Sequence, residues 1–181
     1  MRDPSQDWLA PRDSIPTIVQ AIHILTAIAI GLGATLLIDL WALFLRRAFD
    51  ARSLNYCLLG RWVLHIPTGR IAHESIAATP GKPHECKVGW TTHYMIGATF
   101  AVVFVYLASV GWLARPTLLP ALAFGIATVL VPFFTMQPAF GLGIASSKTP
   151  HPYRARLKSV MTHAVFGVGL WLWAHLLGRM F

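Results

Sequence analysis

Few residues in this chain have chemistry to offer, and those few stand in apolar surroundings. Asp39 lies inside GLGATLLIDLWALFLRR, Gly31–Arg47, a run of apolar residues closed by two arginines. A bare carboxylate in hydrocarbon is expensive, so such residues usually face a bundle interior and mark a functional site. At 1.5 Å rise per helical residue, Asp39 lies roughly 10 Å inside the Arg46 end. His93 and His163 lie in two further apolar runs, near their basic ends, and Gln137 stands beside a proline in another. Two histidines and a carboxylate at one depth suit three chemistries. Together they can ligate zinc, iron or copper. The histidines alone can hold a haem. Asp39 with one histidine can relay a proton for an enzyme or a transporter. The plainer alternative is a hydrogen-bonded pair that only locks helices, a contribution of about 0.6–2 kcal/mol. His93, His163 and Asp39 are therefore the metal-ligating candidates. Asp39, Gln137, Arg61 and His65 are the ligand-binding candidates, and no catalytic role is assigned.

The elements that position these residues are membrane spans. The chain has 181 residues, 55% hydrophobic and only 12% charged, against about 25% charged in soluble domains. That balance specifies an all-α integral membrane protein, a four-helix transmembrane bundle of one domain spanning residues 17–181. Residues 1–16 form a polar extension with mixed charge and three prolines, expected to carry little order. The spans are expected at about 17–45, 89–113, 117–143 and 159–177. In the first, Ala27, Gly31, Thr35, Asp39 and Ala42 share a face, and the small residues let a neighbouring helix approach. Gly97 and Ala101 do the same in the second. These seams serve packing within the chain or a homodimer equally well, and a transporter built on four spans would need the dimer. Arg115-Pro116 turns the second span into the third as an antiparallel hairpin. Pro120, Pro132 and Pro138 interrupt the third, as a kink or as the broken helix of a ligand site.

Between the first two spans, LNYCLLGRWVLHI, Leu54–Ile66, reads as a short interfacial helix capped by Ser53, with Tyr56 and Trp62 as anchors. Arg61 and His65 share its face and either cover the bundle end or meet lipid headgroups. PTGRIAHESIAATPGKPHECK reads as irregular. Cys57 and Cys86 fall in this one loop and form no recognisable metal or disulfide framework. GLGIASSKTPHPYRARLK, Gly141–Lys158, is a glycine-rich exit into a basic loop. Its Lys148, Arg154, Arg156 and Lys158 suit anionic headgroups.

The net charge of +8 sits in these loops, which fits membrane orientation and not nucleic-acid binding. Eleven Lys and Arg residues flank the two polar loops, against four on the opposite side. This places the loops, with the interfacial helix, in the cytoplasm and both termini in the periplasm. TTHYMIGATF, Thr91–Phe100, and MTHAVFGVGL, Met161–Leu170, share Thr-His-x-x-x-Gly. ATLLIDL and ATVLVPF, from Ala34 and Ala127, also match. The pattern suggests two duplicated helical hairpins related by a pseudo-two-fold axis along the membrane normal.

The segments GATLLIDLWALFLRR, SLNYCLLGRWVLHIPTGR, HESIAATP, FFTMQPAFGLGIASSKTP and THAVFGVGL together resemble one group of small bacterial inner-membrane proteins. The group is catalogued as domain of unknown function 2938. The resemblance runs from about Ile30 to the end. It implies a bacterial, multi-span inner-membrane protein and carries no activity, cofactor or site with it.

Overall fold

The structure is a computed structural model that describes residues 14–51 and 54–178. The described residues form helices and connecting turns, with no strand. Four helices are long and apolar enough to cross a membrane: Val19–Phe49, Glu85–Ala108, Leu118–Ala139 and Pro152–Gly178. The polar extension at 1–13 lies outside the described residues, and so does Ser53.

α1 runs from Ser14 to Phe49, longer at both ends than the apolar run alone. α2 spans Tyr56–His65. Its cap is Asn55, whose side chain accepts from the Cys57 N–H at 3.0 Å. α3 spans Glu85–Ala108. It stops at Ser109, whose φ of 68° no helix continues, and the four-residue α4 (Gly111–Ala114) follows. The third span begins as α5 (Leu118–Ala127), passes a π-turn at Pro132–Met136 and ends as α6 (Gln137–Ala139). Pro132 and Pro138 therefore bend a continuous helical path. α7 covers Pro152–Gly178. It starts two turns before the expected 159, because a proline at the first helical position is already set at the helical φ. Arg154, Arg156 and Lys158 are thus helical, and Arg156 Nε donates to the Ala145 carbonyl at 2.8 Å.

The helices share one core, and their largest seams follow a definite order. α1 and α7 lie side by side, α3 flanks α1, α5 flanks α7, and α2 covers the start of α3. The first span thus packs on the second and the third on the fourth, as a duplication requires. A two-fold axis would also map the α1–α7 seam onto an equal α3–α5 seam. α3 and α5 meet more sparsely, chiefly through Phe104 and Phe124, whose ring centroids lie 5.0 Å apart, so the two seams are unequal. The local likeness is genuine at the crossings. Gly97 packs on Gly31 and Thr35, and Gly167 on Ala121 and Leu122, both at backbone contact. The Gly31/Thr35 and Gly97/Ala101 seams are thereby used inside the chain.

The main core is Ala27, Ile30, Ala34 and Ile38 against Ala101, Phe104, Val105, Trp112, Ala121, Phe166, Leu170 and Ala174. Leu25, Leu32, Leu40, Phe44, Met95, Tyr106, Leu107, Leu119 and Phe134 point outward. An apolar exterior around a core of small residues is the pattern expected where lipid replaces water.

A second core, Leu59, Ile76, Ala139 and Phe140, sits at one end. It is built by the loop after α2, which folds back over the end of the third span. His73 N–H donates to the Ala139 carbonyl at 2.9 Å and Ile76 N–H to that of Phe140 at 3.1 Å. Gly141, with φ of +84°, lets the loop backbone pass at contact. The shared face of Arg61 and His65 points to a cover over the bundle end, but the ladder of this lid loop is backbone to backbone and leaves no periodicity.

Candidate functional site

Asp39 is the centre of a polar cluster between α1 and α3. Tyr94 Oη donates to Asp39 Oδ2 at 2.8 Å. His93 Nε2 lies 3.2 Å from Oδ1. Tyr56 Oη, from α2, reaches the same Oδ1 at 3.5 Å. The Tyr56 ring stacks on His93 with centroids 4.0 Å apart, and Trp90 stands 4.6 Å from Tyr56. Burial, and then the Asp39 charge, push the Tyr56 phenol well above its ordinary range. Tyr56 therefore keeps its proton and can only donate toward Asp39. The carboxylate and the imidazole are both about six-sevenths buried, with side-chain exposures of 16% and 14%.

Successive helical residues point about 100° apart, so His93 and Tyr94 straddle the α1 ridge. They meet one carboxylate because its two oxygens diverge. A groove of about 540 Å³ opens beside Tyr94 on the outer, apolar face of α1 and α3. Ile28, Leu32, Trp90, Thr91, Met95 and Ala98 complete its lining.

The other candidates stand elsewhere. His163 Nδ1 is 2.7 Å from Thr128 Oγ1 on the third span. The Thr128 hydroxyl donates its one proton to the Gly125 carbonyl at 2.6 Å. His163 must then be the donor to Oγ1, which fixes its tautomer with the proton on Nδ1. His163 does not join Asp39 and His93. Among the described residues, no group of three or more His, Cys, Asp and Glu side chains is placed to hold a metal ion. The expected triad fails because His163 sits on the face of α7 that packs on the third span, where Thr128 meets its Nδ1. Gln137 is buried at the end of the third span, where its Oε1 accepts from Ser146 Oγ at 3.0 Å.

Arg61 and His65 belong to the lid. Arg61 makes a two-point pair with Glu85, Nε to Oε2 at 2.8 Å and Nη2 to Oε1 at 2.7 Å. Its Nη1 donates to the carbonyls of Ile76, Ala77 and Thr79. The guanidinium is thereby occupied inside the protein and not offered to headgroups. His65 is buried against His73, with centroids 5.2 Å apart. Their Nε2 atoms are both buried without a partner. The His73 Nδ1 atom lies 3.1 Å from Thr79 Oγ1. Desolvation, and then Arg70 and His65, hold the His73 imidazole below its usual pKa. The polar atoms of Tyr56 and Trp62, expected to meet the interface, find partners within the chain. Tyr56 turns toward Asp39, and Trp62 Nε1 donates to the Ile71 carbonyl at 2.7 Å.

One feature overturns the sequence reading of the cysteines. Cys57 and Cys86 are joined in a disulfide, 29 residues apart in sequence. The pairing arises because α2 crosses α3 at Gly60 and Gly89, each in backbone contact with the other helix. That contact sets the first turns of both helices side by side. Tyr94, Tyr56, Thr128, Glu85 and His73 also escaped the sequence reading. The signals available were the phenol beside His93 and the acid opening α3, neither informative without the helix register.

No curated protein and no solved structure matches this chain. A family model does match, over residues 28–177, which covers all four apolar helices and the lid. The protein therefore belongs to the family described as Protein of unknown function (DUF2938).

Proposed function

We propose that the protein is a multi-pass protein of the bacterial inner membrane, with both polar loops cytoplasmic, that binds a small amphiphilic ligand at Asp39–His93 and exchanges a proton with it. The observation that carries this reading is Tyr94. Its ring lines the lipid-side groove, while its hydroxyl donates to the Asp39 carboxylate at 2.8 Å. A molecule entering from lipid would meet Tyr94 first, and behind it a carboxylate and an imidazole 3.2 Å apart. Such a pair can pass one proton between its members without leaving a bare charge in apolar surroundings. Aromatic walls from Trp90 and Tyr94 suit a flat or apolar body, and the carboxylate suits one polar atom.

The cytoplasmic placement rests on the eleven-to-four excess of Lys and Arg beside the polar loops. Those cationic loops also favour anionic lipid at that face.

A second reading is that the cluster only locks α1 to α3 and α2. It is favoured by the saturation of Asp39, both of whose oxygens already face donors from the chain. One experiment separates the two readings. The protein is extracted in a mild detergent, and native mass spectrometry reads the small molecules retained. Wild type is expected to carry a bound molecule that Asp39→Asn and Tyr94→Phe lose, with Asp39→Asn as thermally stable as wild type or more so. A marked drop in melting temperature, with no bound molecule in wild type, selects the lock.

A further inference from the structure

We propose that Cys57–Cys86 is a reversible thiol–disulfide exchange site for small-molecule thiols of the glutathione class, on the cytoplasmic face of the membrane. The proposal rests on the orientation given above and is independent of any ligand at Asp39.

Three observations carry it. The first is location. The bond lies in the loop region that the excess of positive charge places in the cytoplasm, where glutathione and thioredoxin keep thiols reduced. Disulfides found in that compartment are mostly transient, catalytic or sensing ones. The second is access. Cys86 is an exposed residue while Cys57 is half-buried, so an incoming thiolate approaches from the Cys86 side.

The third is redundancy. α2 is held on α3 without the bond. Gly60 and Gly89 bring the backbones into contact, and Arg61 and Glu85 clamp the same crossing with two hydrogen bonds. Opening the bond leaves these contacts in place, as a reversible step requires.

The surroundings also suit the chemistry. Each cysteine is the second residue of its helix, in α2 and in α3. Thiolates are favoured in the first turn of a helix, and Lys87 is the next residue after Cys86. Glu85, the nearby acid, turns its charge onto Arg61.

The exchange balances as two thiol attacks. A small thiolate attacks Cys86 Sγ, the S–S bond breaks, and Cys57 leaves as a thiolate. A second thiol then attacks the mixed disulfide at its non-protein sulfur and releases Cys86. The protein gains two electrons and two protons, and the two small thiols leave as one disulfide.

The test uses the full chain in sealed membrane vesicles of both orientations. Vesicles are equilibrated with glutathione buffers of graded oxidation, quenched in acid, and labelled with a maleimide large enough to shift a gel band. The expected result is a shift of two labels that titrates with the buffer in folded protein. In Cys57→Ser, a glutathione adduct should form on Cys86 about tenfold faster than on Cys57 in Cys86→Ser, since only Cys86 is exposed. A bond that stays closed at every buffer ratio until denaturant is added overturns the proposal, and so do cysteines that never pair in the cell. A membrane-impermeant maleimide reads the side separately. If the reduced pair is labelled only from the periplasmic face, the orientation and the proposal both fall. Cytoplasmic labelling with a closed bond overturns the exchange alone.

Discussion

Tyr94 and His93 approach one carboxylate from neighbouring positions on α3, with Tyr94 Oη on Asp39 Oδ2 and His93 Nε2 near Oδ1. Each oxygen thus has its own partner, and the two can be removed one at a time. Tyr94→Phe strips the partner of Oδ2 and leaves that mostly buried oxygen without a donor. The expected cost is about 1–3 kcal/mol, since a buried acceptor loses its donor. His93→Gln keeps a donor within reach and should cost less. Thermal unfolding in detergent, read for both variants and for the Asp39→Asn double mutants, measures the coupling. Near-zero coupling between Tyr94 and Asp39 would contradict the cluster as described.

The α2–α3 crossing is intolerant of a single methyl group. A Cβ at Gly60 would overlap the Glu85 carbonyl, and one at Gly89 the Tyr56 carbonyl. Backbone cannot step aside as a side chain can. Gly60→Ala should therefore destabilise by about 1–3 kcal/mol or more through overpacking. Gly69→Ala is the control, since nothing lies near that position although its φ of +77° adds strain of its own. Limited proteolysis of the lid should rise sharply in Gly60→Ala and little in the control.

Arg61 holds the lid through five hydrogen bonds. Lysine keeps the charge but has no planar fork, so Arg61→Lys cannot reproduce the pair and the carbonyl contacts together. A loss of about 2 kcal/mol in stability is expected. Hydrogen exchange at Ile76–Thr79 should speed up, while α7 stays protected. Uniform deprotection of the whole chain would argue against a local role.

His73 makes the lid sensitive to acid. Its pKa is lowered in the folded chain, chiefly by desolvation. Below the ordinary histidine value of about 6.5 the unfolded chain binds this proton more readily than the folded one. The contribution to stability is therefore complete above that value and is lost as pH falls toward the lowered one. His73→Gln should flatten this dependence between neutral and mildly acidic pH, measured as melting temperature in detergent. An unchanged slope would assign it to another group.

Much of the frame was legible in the sequence because a chain this apolar follows a simple rule. Four long apolar runs had to be helices, and a carboxylate such as Asp39 had to turn inward. Its partner His93 followed from depth alone. Depth, however, is one coordinate of three. It put His163 and Gln137 on the same level as Asp39, and the lateral order of the helices separated them. His163 satisfies itself on Thr128, one turn from the crossing at Gly125. The path of the lid was illegible for another reason. Arg61 and Glu85, or Cys57 and Cys86, pair across a loop whose course is set by backbone hydrogen bonds to Ala139 and Phe140. Such bonds depend on no side-chain pattern.

The order of the seams has a consequence for how the chain is made. Of the four long helices, α1 and α7, which share a large seam, are made first and last. Every side chain around Asp39 lies between residues 39 and 94, so the carboxylate finds its partners while the second half is still unsynthesised. The face of α1 destined for Ala34–Gly169 contact must wait until α7 is made. That face is apolar and costs little to leave unpaired meanwhile, whereas the costly polar group is shielded from the start.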